Sequence, residues 1–160
     1  MQRGIVVAEA AVKIERELTF VRRFEIADLT THGPWLMKRF MAKRPDLREQ
    51  DIAGWLRGRI YDNEHLFLYQ DNAVALAQIV HSPGIKMVKV VQEHFVWAKN
   101  PGDKGQHEVV ADFYDHIKVW AKRQDAERIV VCEDSDVPKA LVQARLGRVY
   151  DTTVSFARVT

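Results

Sequence analysis

One cysteine in 160 residues, Cys132, has no second cysteine in the chain to pair with, so no internal disulfide is expected. The six histidines nowhere fall at metal-ligand spacing, which excludes a zinc framework and leaves metal binding without a motif. Charge of one sign is also missing. Lys plus Arg number 24 against 22 Asp plus Glu, and a net charge of +2 supplies no field that would by itself draw the chain to nucleic acid or a membrane. Five prolines and eight glycines are scattered, with no linker, repeat or low-complexity tract. No apolar run approaches a membrane span, and the first residues carry only a short apolar patch interrupted by Glu9, Lys13 and Glu15, so a signal peptide is not expected. The thiol content suits a reducing compartment, a cytoplasm.

What is present is hydrophobic patterning over a length that suits one domain. Residues 1–17 read as an N-terminal extension and residues 18–160 as a single domain. Residues 18–26 read as a strand, and Asp28 or Thr31 is placed to cap a helix beginning near Pro34, with Trp35, Leu36, Phe40 and Met41 as its buried stripe. A second helix fits 48–61, where Ile52, Leu56 and Ile60 recur at helical spacing. Residues 65–69 and 73–81 form a hairpin about Asp71-Asn72, and Ser82-Pro83-Gly84 makes the next turn. A strand over 87–98 follows. Val109, Phe113, Ile117 and Trp120 then mark one face of a long helix. The apolar run 128–132 suits a central strand, 138–146 a short helix capped by Ser135 or Asp136 and stopped at Gly147, and 148–159 the last strand or pair of strands. The order is β-αα-βββ-α-β-α-β, an α+β chain with a mixed, mostly antiparallel twisted sheet flanked by helices.

The stretch 86–122 carries the chemistry. A strand runs into the glycine-containing loop Asn100-Pro101-Gly102-Asp103-Lys104-Gly105, which opens into a long helix, and free N–H groups at the positive end of a helix dipole favour a phosphate or diphosphate.

This order and this loop resemble the GNAT superfamily of N-acetyltransferases over roughly residues 18–160. In that family the fourth strand carries a bulge and splays from the fifth, the pantetheine arm of acetyl-CoA lies in the gap, and a loop of pattern R/Q-x-x-G-x-G/A holds the diphosphate. The resemblance implies acetyl-CoA as a substrate, with the backbone of Phe95, Val96, Trp97 and Ala98 pairing with the arm and polarising the thioester carbonyl. It also implies that the region of Lys104, Gly105, Gln106 and His107 meets the diphosphate. Asn100 stands where the family has Arg or Gln, and Asp103 where it has the first glycine. Glu93 matches the strand carboxylate that serves as general base, since an ammonium has no lone pair with which to attack. The family's acidic Tyr falls on Gln143, which cannot donate a proton in that role. Tyr114, Tyr150 and Cys132 are the other residues weighed for it, and Ser135 and Asp136 lie where the family often has an arm-contacting Asn.

Two functions follow from the resemblance. One is acetyl transfer to an unidentified amine, with no metal. The other is a catalytically inactive GNAT-fold structural or interaction protein, such as a bacteriophage virion or accessory protein, which would place the chain in a host cytoplasm or a virion. A protein partner or a homo-oligomer fits either. The cluster Lys38, Arg39, Lys43, Arg44, Arg48, Arg57 and Arg59 on the first two helices suits a solvated face or an acidic acceptor, and balanced total charge weighs against nucleic acid.

Overall fold

The structure is a computed structural model that describes residues 21–82, 87–132, 136 and 138–146. The extension 1–17, most of the Ser82-Pro83-Gly84 turn, Ser135, Gly147, Tyr150 and the expected last strand lie outside the described residues.

Within them the chain runs β1 (Arg22–Arg23), α1 (Ile26–Lys43), α2 (Glu49–Ile60), β2 (His65–Gln70), β3 (Ala73–Ser82), β4 (Val88–Ala98), α3 (Lys104–Arg123), β5 (Arg128–Val130) and α4 (Lys139–Leu146). The sheet order is β1-β2-β3-β4-β5, antiparallel except for the parallel pair β4–β5. The expected mixed, mostly antiparallel sheet between helices is therefore what the chain forms.

The hairpin is set by chemistry at its tip. Gln70 pairs with Ala73, so only Asp71 and Asn72 turn the chain, and both take positive φ, 48° and 61°. These residue types tolerate that backbone, and the resulting twist matches the flanking strands.

The first helix starts eight residues before Pro34, a correction to the sequence reading. Its N-terminus is fixed where the Asp28 carboxylate accepts the Glu25 N–H at 2.8 Å and the Asp28 N–H donates to the Glu25 carbonyl at 2.9 Å. Arg22 forks onto the same carboxylate at 2.7 and 2.8 Å. Together these interactions hold the Asp28 carboxyl below its ordinary range, with the Arg22 hydrogen bond as the largest cause. Among the described residues β1 ends at Arg23, earlier than expected, because residue 26 already belongs to the helix. Pro34 sits inside α1, where it forgoes one intrahelical hydrogen bond.

Two apolar layers flank the sheet. On one face, Leu36 of α1 and Ile52 and Leu56 of α2 meet Phe67, Val74, Leu76, Phe95 and Trp97 of the strands. Phe24 stacks on Phe67 with centroids 4.2 Å apart, and Phe40 meets Phe95 and Trp97 edge-on. On the other face, Val110, Phe113, Tyr114 and Ile117 of α3 cover Ala75, Ala77, Val91, Val96 and Ile129, joined by Val142 and Leu146 of α4. Alanines on the sheet let α3 approach closely, and the ion pairs of Arg145 with Asp112 and Asp115 at 2.9 and 2.5 Å tie α4 to it.

Candidate active site

Strand β4 carries one residue more than its partner at a single point. Ala77 pairs with Glu93 and Leu76 pairs with Phe95, so His94 is the extra residue of a β-bulge. The bulge resets the alternation. Val91, Glu93, Val96 and Ala98 face α3, whereas His94, Phe95 and Trp97 face α1 and α2.

At the same level the sheet opens. Val90, Val91 and Gln92 pair with Arg128, Ile129 and Val130, and among the described residues the ladder between the two strands ends there. Just past it the Glu93 side chain takes over: one oxygen accepts the Cys132 N–H at 2.8 Å, and the other accepts the Tyr114 hydroxyl of α3. Glu93 is only 3% exposed and Tyr114 is fully buried. Burial pushes the Glu93 carboxyl up to about 7, against the two hydrogen bonds, which favour its ionised form. A carboxyl poised there exchanges a proton readily at neutral pH.

Farther along, the β5-facing groups of β4 belong to Asp136. Its N–H donates to the Val96 carbonyl at 3.3 Å, and its carboxylate accepts the Ala98 N–H at 2.9 Å. The carboxylate is also gripped by both Nη atoms of Arg39 from α1, whose guanidinium lies 4.7 Å over the Trp97 ring. Asp136 is thus a cross-link between α1 and β4, which corrects its reading as a helix cap.

The loop after β4 holds the remaining sequence candidates. Asp103 caps α3, and its carboxylate accepts the Gly105 N–H at 2.9 Å. The Gln106 amide donates to the Asp71 carbonyl at 2.7 Å, while its own buried oxygen has no partner among the described residues. His107 pairs with the Pro101 carbonyl at 3.0 Å. Lys104 opens the helix through its backbone.

On the other face of β4, His94 Nε2 meets Gln78 Oε1 at 2.6 Å, and its ring stacks on His65 with centroids 5.9 Å apart. Burial, with His65 and Arg59 beside it, pushes the His94 imidazole down to about 4. Arg59 lies 5.4 Å over Trp55 and 3.4 Å from His65 Nε2. Of the basic cluster on the first helices, Arg44 and Arg48 pair locally with Asp46 and Asp51, and Arg39 engages Asp136. Sequence reasoning named Glu93 and the strand but missed the Tyr114–Glu93 and Arg39–Asp136 contacts. Among the described residues no group of three or more His, Cys, Asp or Glu side chains could hold a metal ion, and no helix is long and apolar enough to cross a membrane.

The architecture is similar to that of an acetyltransferase from Vibrio fischeri. The two share 15% sequence identity and superpose with a TM-score of 0.52, over 69% of this chain and 93% of that one. No protein-family model matches the chain, and no curated protein sequence does. The likeness is one of fold.

Proposed function

Starting from a GNAT-like fold, we propose that the chain transfers an acetyl group from acetyl-CoA to an amine, with Glu93 as general base. The amine nitrogen attacks the thioester carbonyl, the carbon–sulfur bond breaks, CoA leaves as its thiolate, and the nitrogen's proton passes to Glu93. The observation that carries this reading is the buried Glu93 carboxyl, held near neutrality at the point where β4 and β5 part. Tyr114 and the Cys132 N–H fix its orientation. The arm of acetyl-CoA would lie along Phe95, Val96, Trp97 and Ala98, with its diphosphate near Lys104, Gly105, Gln106 and His107. The test is acetyl transfer to a panel of amines. Glu93→Gln should lower turnover by roughly 100- to 10,000-fold with little change in acetyl-CoA affinity. Full activity in the variant removes Glu93 from the reaction.

A second reading is favoured by a specific observation. Asp136 holds the outward groups of Val96 and Ala98, and Asp103 holds the Gly105 N–H. A GNAT-fold protein without chemistry, serving as a structural or interaction module such as a bacteriophage virion or accessory protein, would have these groups satisfied internally. In that case acetyl-CoA leaves the melting temperature unchanged.

A further inference from the structure

Past the Gln92–Val130 pair, no strand among the described residues pairs the outer edge of β4, and isolated groups of the chain itself meet it there. The Asp136 N–H meets the Val96 carbonyl and the Asp136 carboxylate meets the Ala98 N–H, while the Cys132 N–H meets the Glu93 side-chain carboxylate. At Val96 and Ala98 one residue, Asp136, supplies both a donor and an acceptor to the strand. An amide-bearing linear ligand offers the same two functions.

We propose that Asp136 is an intramolecular occupant of the β4 edge, locked in place by Arg39, and that a ligand of the pantetheine-amide class binds by displacing it. This rests on the acetyl-CoA reading above and goes beyond it, because it assigns Asp136 and Arg39 a role in setting affinity. Three features argue for a lock rather than an incidental ion pair. The Asp136 carboxylate has both oxygens on the two Nη atoms of Arg39 while it also accepts a backbone N–H, a charge-assisted set stronger than neutral bonds. Arg39 donates in addition to the Ala98 carbonyl at 3.3 Å, so the same guanidinium grips the strand that Asp136 covers. The Arg39 guanidinium lies 4.7 Å over the Trp97 ring, a cation–π contact that adds to its hold, and the Arg39 and Asp136 side chains are only 23% and 11% exposed, which limits screening by solvent.

A ligand meeting an edge that is open for only a fraction of the time binds more weakly by that fraction, and removing the occupant restores the intrinsic affinity. Asp136→Ala should therefore bind acetyl-CoA at least ~10-fold more tightly than the unaltered chain, and Arg39→Met, which leaves Asp136 in place but unlocked, by a smaller factor. Affinity is read by calorimetry with acetyl-CoA, and the state of the edge by hydrogen exchange at the Ala98 amide, which needs no ligand. Exchange at Ala98 should quicken in both variants, more in Asp136→Ala. An unchanged Ala98 rate in Asp136→Ala overturns the occupant role, as does binding by all three proteins with equal affinity or weaker binding in Asp136→Ala; in the last two cases the acetyl-CoA reading stands. Failure of all three to bind overturns the acetyl-CoA reading together with the proposal.

Discussion

Glu93 and His94 lie on opposite faces of β4, as consecutive strand residues do, one toward Tyr114 of α3 and the other toward Trp55 of α2, and the bulge at His94 then leaves Phe95 on the same face as His94. Burial acts on both in the same sense, favouring the uncharged form, and so moves their titrations in opposite directions: Glu93 up to about 7, His94 down to about 4.

The two shifts have opposite consequences for stability. The Glu93 carboxyl binds its proton more tightly folded than unfolded, so its contribution is fully present below the ordinary 4.5 and is lost as pH rises through about 7, a loss of about 3 kcal/mol. His94 behaves conversely: its contribution is fully present above the ordinary 6.5 and is lost as pH falls through about 4. Between 4.5 and 6.5 the two slopes oppose each other. Urea unfolding across pH should show Glu93→Gln gaining relative to the unaltered chain as pH rises from 4.5 to 7, and His94→Gln gaining as pH falls from 6.5 to 4. Parallel curves would mean that neither group is held uncharged by the fold.

Tyr114 donates to the carboxylate of Glu93 and so favours its ionised form. Tyr114→Phe removes that donor while leaving the ring packed, and the Glu93 titration should move further above about 7. The carboxyl signal of labelled glutamate in NMR reports this directly. The variant should also lose about 1 kcal/mol of stability, the net worth of a buried hydrogen bond. A titration that stays in place or moves down would assign the hydroxyl to another partner.

Asp103 both caps α3 and covers the Gly105 N–H. Asp103→Gly frees that N–H and removes a negative charge, so acetyl-CoA should bind more tightly. Glycine is tolerated at an N-cap, and the stability cost should be a few tenths of a kcal/mol. A melting curve run beside an acetyl-CoA titration separates the two effects; unchanged affinity in a binding protein would place the diphosphate elsewhere.

Much of the sheet was legible because its signals are local. The β-prone runs 65–69 and 73–81 and the Asp71-Asn72 tip between them define the hairpin, and Val109, Phe113, Ile117 and Trp120 define α3 by their period. The start of α1 was not, since glutamate at an N-cap is a weak sequence signal and Pro34 is a common first-turn residue; Arg22, gripping Asp28, anchors the earlier start. Glu93 was legible as a strand carboxylate, but its environment was not. The hydroxyl that orients it comes from 21 residues away, and the Arg39–Asp136 link joins residues 97 apart. Short-range spacing carries no trace of such pairs. Asp136 beside Pro138 looks like a cap until α1 is folded over the strand.

The most direct test of the proposed activity is a calorimetric titration of the unaltered chain with acetyl-CoA at neutral pH. The account predicts saturable one-to-one binding, matched by a rise in melting temperature that reflects roughly 2.7 kcal/mol of added stability when the ligand stands at a hundred times its Kd. No heat of binding and no thermal shift at millimolar acetyl-CoA would contradict it and leave a GNAT-like fold that does not use the substrate.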